Sequence, residues 1–87
     1  MKAVLTVIGK DMVGILAKVS AVCAENNVNV IEVTQSVLDG YFCMVMIVDI
    51  ENASCQIDEL QSKIQSRTPE MVVHAMHEDI FNSMHRI

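Results

Sequence analysis

The chain has few aromatic residues: Tyr41, Phe42 and Phe81 are the three it carries, and tryptophan is absent. Its core must therefore be aliphatic, with the seven methionines supplying part of the filling. Basic residues are scarce as well, six Lys+Arg against eleven Asp+Glu, for a formal charge of -5. That balance argues against a protein that reads a nucleic-acid backbone, which needs a basic footprint, and against docking on a polyanionic membrane surface. No apolar run is long. Tyr41 to Val48 spans eight residues, far below the ~20 needed to cross a bilayer, and the run Ala3 to Ile8 is too short for a signal-peptide core before Gly9-Lys10-Asp11 stops it. Cysteine is sparse and odd in number, with Cys23, Cys43 and Cys55 widely spaced, so a secreted disulfide scaffold is excluded and free thiols in a reducing cytoplasm are expected. At 87 residues there is room for one small domain.

What is present is a change of period along the chain. Lys2 to Ile8 is rich in β-branched residues and reads as a strand. From Val13, the positions Ile15, Leu16, Val19, Val22 and Cys23 form one helical stripe, with Asp11 as the expected cap and Asn26-Asn27 as the stop. Val28 to Leu38 and Tyr41 to Ile50 read as strands joined by the tight turn Asp39-Gly40. Ile57, Leu60 and Ile64 mark a second helix that ends near Arg67, before the breaker Thr68-Pro69. Met71 to His77 is a last strand, and Ile80, Phe81, Met84 and Ile87 give a short helical tail.

The order β-α-β-β-α-β plus a tail helix predicts an α+β, ferredoxin-like fold: a four-stranded antiparallel sheet of order 4-1-3-2 with two helices on one face. The domain is expected over residues 1–77, with 78–87 as a helical tail packing on the sheet or on a partner subunit. In the third strand Phe42, Met44, Met46 and Val48 alternate with Tyr41, Cys43, Val45 and Ile47, so both sheet faces need cover. The helices cover one face; the tail, a second subunit or its tail must cover the other. A homodimer is the expected solution.

At Gly9-Lys-Asp-Met-Val-Gly-Ile-Leu-Ala-Lys-Val-Ser20, followed by Asn26-Asn-Val-Asn-Val-Ile31, the sequence resembles the ACT domain family of small-molecule-binding regulatory modules. Asp11, Gly14, Ile15 and Leu16 match the family's loop, and Asn29 and Val30 match its start of the second strand; Val13 stands where the family often has Pro. The ending Glu78 to Ile87 is similar to that of a little-characterised group of free-standing bacterial and archaeal ACT proteins. The resemblance implies a regulatory module that binds a ligand, most often an amino acid, between two domains packed side by side. The implied site is the loop Asp11, Met12, Val13, Gly14 and Ile15, whose amides would meet a carboxylate and whose Asp11 would take an ammonium. Asn29, Val30 and Ile31 of a second copy would complete it. The regulated protein would be a separate, unidentified chain. The same residues also read as architecture: Asp11 as a cap, Gly14 as a close helix-sheet contact and Asn29 as a turn residue.

Other chemistry fares worse. His74, His77 and His85 suggest a metal shared across an interface, but His74 and His77 are three apart on a strand and point to opposite faces, and no Cys-x-x-Cys or His-x-x-x-His pair exists. No metal or cofactor is expected. The methionines read as core filling. Cys23 and Cys43 read as buried and inert, and Cys55 as a thiol at a helix start. Nucleophile-elbow, P-loop and dinucleotide fingerprints are absent, so the chain is not expected to be an enzyme. The leading alternative to a ligand sensor is a constitutive protein-interaction module.

Overall fold

A computed structural model describes residues 1–10 and 13–84. The elements run β1 (Lys2–Gly9), α1 (Ile15–Glu25), β2 (Asn29–Leu38), β3 (Tyr41–Asp49), α2 (Ile57–Arg67), β4 (Val72–His77) and α3 (Glu78–Met84). The sheet is antiparallel in the order β2-β3-β1-β4, which is the expected order read from its other edge.

Register fixes the two faces. Ala3, Leu5 and Val7 of β1 stand opposite Val48, Met46 and Met44 of β3, and opposite His77, Ala75 and Val73 of β4. These alternate positions, apart from Ala75 and His77, are buried under α1 and α2 together with Ile15, Val19, Val22, Leu60 and Ile64. Each fully buried aliphatic side chain there contributes about 1.5–3 kcal/mol of transfer free energy. α1 lies toward β2 and α2 toward β4. Leu16, expected on the buried stripe of α1, is 37% exposed, because a neighbour of Ile15 sits about 100° around the helix and falls at the edge of the stripe.

The turns follow from local chemistry. Asp39 and Gly40 both have positive φ, 52° and 80°, the pair of left-handed residues that a two-residue hairpin of the right twist requires. α1 ends at Asn26, whose side chain bonds Val22 O at 2.8 Å, and Asn27 follows at φ 58°. α2 is capped at Gln56, where Glu59 Oε1 accepts from the Gln56 amide at 3.1 Å. Thr68, which the sequence marks only as a breaker, is fully buried with its hydroxyl on Ile64 O at 2.9 Å.

The far face of the sheet is partly covered. α3 packs on β1 and β4, and Val4 on that face is 2% exposed. Cys43, Val45 and Ile47 remain half-buried, so Cys43 is not the fully buried thiol expected from its place in a central strand.

Candidate functional site

Two segments carry the residues singled out by sequence, and the sheet holds them apart. The β1 end of the sheet is marked by Gly9 opposite Phe42 and by the neighbouring β2–β3 turn. The other end is marked by Asp49, opposite both Lys2 and Asn29. Seven strand steps separate them, about 23 Å. The β1–α1 loop and Asn29–Ile31 of one chain therefore do not form one site.

At the first end, Asp11 and Met12 lie outside the described residues. Val13 is 80% exposed, whereas the Ile15 side chain is fully buried, so Ile15 offers only its backbone. The cap position of α1 is Gly14, not Asp11, at φ 72° and with no side-chain cap bond. A Cβ placed on Gly14 would meet nothing within 4 Å, so its glycine is required by backbone conformation, not by a close helix-sheet contact. The first intrahelical bond runs from Lys18 N to Gly14 O at 3.0 Å. The amides of Ile15, Leu16 and Ala17 precede it and have no partner within the helix. No acid stands in the first turn of α1, whereas α2 has Asp58 and Glu59 and α3 has Glu78 and Asp79. The positive end of α1 is thus left without a neutralising side chain in its own first turn. Lys10, which the sequence reading did not place in the site, stands at this end with Nζ 5.6 Å from the centre of the Tyr41 ring. Only the pairing of β1 with β3 brings residues 31 positions apart together, so no local pattern signals it.

At the second end, Asn29 is exposed and borders a cleft of about 240 Å3 with Ala24, Asn27, Val28 and Asn52. Asn27 Nδ2 donates to Asn52 O at 2.9 Å across it. Val30 is half-buried against the core, and Ile31 sits at a bulge, 42% exposed. Asp49 beside Asn29 has its carboxyl held below the usual range, chiefly because the Glu51 amide donates to it at 2.9 Å and further by the N-terminal ammonium at 3.6 Å. A larger cleft of about 400 Å3 between α1 and α2 has its cationic side chains already engaged, Arg67 in an ion pair with Glu25 and Lys63 donating to the neutral Asn26 Oδ1, both at 2.7 Å.

The histidines divide as their spacing predicts: His74 pairs with Thr6 and His77 with Ala3, on opposite faces, while His85 lies outside the described residues. Among the described residues no three His, Cys, Asp or Glu side chains are grouped for a metal. Cys23 is fully buried, and its thiol is pushed up to about 11 by desolvation and, secondarily, by Cys55. Among the described residues no helix is long and apolar enough to cross a membrane.

Comparison with known proteins places this geometry in a family. The sequence pattern of the ACT domain matches residues 2–77. A UPF0237 protein of Clostridium perfringens is 48% identical over 89 residues, covering all of both chains, and one of the archaeon Methanocaldococcus jannaschii is 42% identical over 88 residues, covering 99% of this chain and 98% of that one. Among solved structures, an ACT domain protein from Streptococcus pneumoniae superposes with a TM-score of 0.79 at 34% identity, covering 93% of each chain. With the family pattern matched over residues 2–77, whole-length relatives in bacteria and archaea and a solved ACT domain of the same fold, the chain belongs to the ACT domain family, in its free-standing single-domain UPF0237 group.

Proposed function

We propose that this chain is a cytoplasmic regulatory module that works by binding and not by catalysis, as a homodimer joined along β2, with an amino-acid-like ligand between the subunits. The observation that carries the reading is the separation of the two half-sites within one chain. An antiparallel pairing of β2 with β2 of a second copy sets the Asn29 end of one strand beside the Leu38 end of the other. Leu38 leads into Tyr41, and Phe42 lies opposite Gly9, so this pairing carries Asn29–Ile31 of one copy toward the β1–α1 loop of its partner. β2 suits the role: every residue from Ile31 to Leu38 is exposed.

The ligand class follows from the charges. Amides at the start of α1, without an acid in its first turn and with Lys10 nearby, favour a carboxylate. The partner's end supplies the Asn29 side chain with the ionised Asp49 beside it, which favours an ammonium. An α-amino acid has both groups. Its signal would pass as a change in subunit geometry, read by a separate protein.

The test is a thermal-shift screen against amino acids, followed by calorimetry on wild type and Gly14→Asp. Binding of one amino acid, with affinity lost in Gly14→Asp, supports the reading; unchanged affinity in that variant removes the loop from the site. A constitutive interaction module is the second reading, favoured by Ile8, Tyr41 and Val72, which leave apolar surface on the far face at 41%, 44% and 57% exposure. Flat melting curves across the panel support that alternative.

A further inference from the structure

The two outer strands of a sheet carry a row of backbone groups that point away from it, and sheets join through such rows. In this chain the two edges differ. Along β4, the Val73 amide donates to Gln65 Oε1 at 3.2 Å and the Ala75 amide to Gln61 Oε1 at 2.8 Å. Gln65 also donates through Nε2 to Met71 O at 2.6 Å, just before the strand. The spacing explains why one helix can do this. Four residues of helix rise about 6.0 Å and two residues of strand about 6.6 Å, so glutamines at i and i+4 keep step with alternate amides. One turn earlier α2 carries Ile57, which has no acceptor, and at that end of β4 the chain folds away into α3. Along β2, no side chain of the described residues bonds to the strand backbone.

We propose that Gln61 and Gln65 hold the β4 edge shut against strand pairing with a second copy, so that the sheet can be extended only from β2. A pair of chains joined at β2 presents β4 on both outer rims; with β4 open, the sheet would continue into a fibre. The closed edge limits assembly to a closed pair. Only that last consequence rests on the β2 pairing proposed above.

The experiment compares wild type, Gln61→Leu and Gln61→Glu, all shown to be folded by circular dichroism. Leu fills the same space without an acceptor, while Glu keeps an acceptor oxygen for the Ala75 amide. Two readouts serve: amide hydrogen exchange at Ala75 and mass by light scattering across protein concentration. In Gln61→Leu, exchange at Ala75 is expected to rise about 5- to 10-fold, the loss of one net hydrogen bond, with mass growing beyond wild type as concentration rises. Gln61→Glu is expected to keep wild-type exchange and mass. The double variant Gln61→Leu/Gln65→Leu is expected to grow further, and Gln61→Met serves if Gln61→Leu does not fold. Wild-type exchange at Ala75, or wild-type mass at every concentration in the Leu variants, overturns the proposal. Growth from a monomeric wild type to a dimer and no further upholds the closed β4 edge and instead overturns the pairing through β2.

Discussion

Gly9 and Gly14 are glycines for opposite reasons, and substitution separates them. A Cβ on Gly9 would stand 2.5 Å from Met71 Sδ and 3.3 Å from Glu70 O, so Gly9→Ala forces the buried Met71 aside. The expected cost is about 1–3 kcal/mol, measured by urea denaturation, and it should not add to the cost of truncating Met71, because the two residues share one space. Gly14 has room for a Cβ but sits at φ 72°. Gly14→Ala is therefore expected to cost about 1 kcal/mol through conformation alone, and Gly14→Asn less. The thiols offer a second residue-scale prediction. With its pKa near 11, Cys23 at pH 8 holds a thiolate fraction about a hundredfold below that of a thiol at its ordinary value of 9.0. Alkylation followed by mass spectrometry should label half-buried Cys43 and Cys55 first and reach Cys23 only on unfolding. Asp49 gives a pH dependence. Its folded-state value is depressed, so its stabilising contribution is full above the usual carboxylate range and is lost as pH falls through the folded value. Asp49→Asn keeps an oxygen for the Glu51 amide, so the melting-temperature gap to wild type should be present at pH 7 and close in acid.

At the scale of the element, the start of α2 depends on Glu59 reaching back to the Gln56 amide. Glu59→Ala is expected to destabilise the fold by about 1 kcal/mol, read by denaturation, with amide exchange rising in the first turn of α2. This cap also shows where sequence reading stops. Periodicity locates each helix and strand because 3.6-residue and 2-residue repeats are written in the order of apolar side chains, and the Asp39-Gly40 turn is written in two residues that tolerate positive φ. The faces of β3 follow for the same reason. Gln61 and Gln65 are different: in sequence they are polar positions on an amphipathic helix, indistinguishable from solvated ones. Their role appears only when β4 lies alongside. The Lys10–Tyr41 contact and the tight approach of Met71 to Gly9 are likewise products of strand pairing. Half of the candidate site was legible as a loop motif, and the other half as an Asn at a strand start. That they lie at opposite ends of one sheet was not, because register is a tertiary property.

For the whole molecule, that separation would make ligand binding and dimerisation one equilibrium in the proposed β2-paired dimer. A two-fold pair would have two sites, each completed by residues of both copies, so a free chain would have no complete site. Ligand at 100 times its dissociation constant then stabilises each site about 100-fold, and the dimer dissociation constant should fall by about 10,000-fold across both. A site contained within one chain would raise the melting temperature equally but leave dimer affinity unchanged. Sedimentation velocity at several protein concentrations, with and without the amino acid found in the screen, separates the two cases. Thr34→Lys supplies the complementary perturbation. Thr34 is exposed in the middle of β2, so a two-fold pairing there sets each introduced charge close to its own copy, a like-charge contact expected to weaken the dimer up to about fivefold. The monomer should stay folded, since the substitution removes no buried group. Under the shared-site reading, Thr34→Lys should lower ligand affinity although position 34 touches no ligand, and raising the protein concentration should restore it. Ligand affinity independent of both Thr34→Lys and protein concentration would place the site within a single chain.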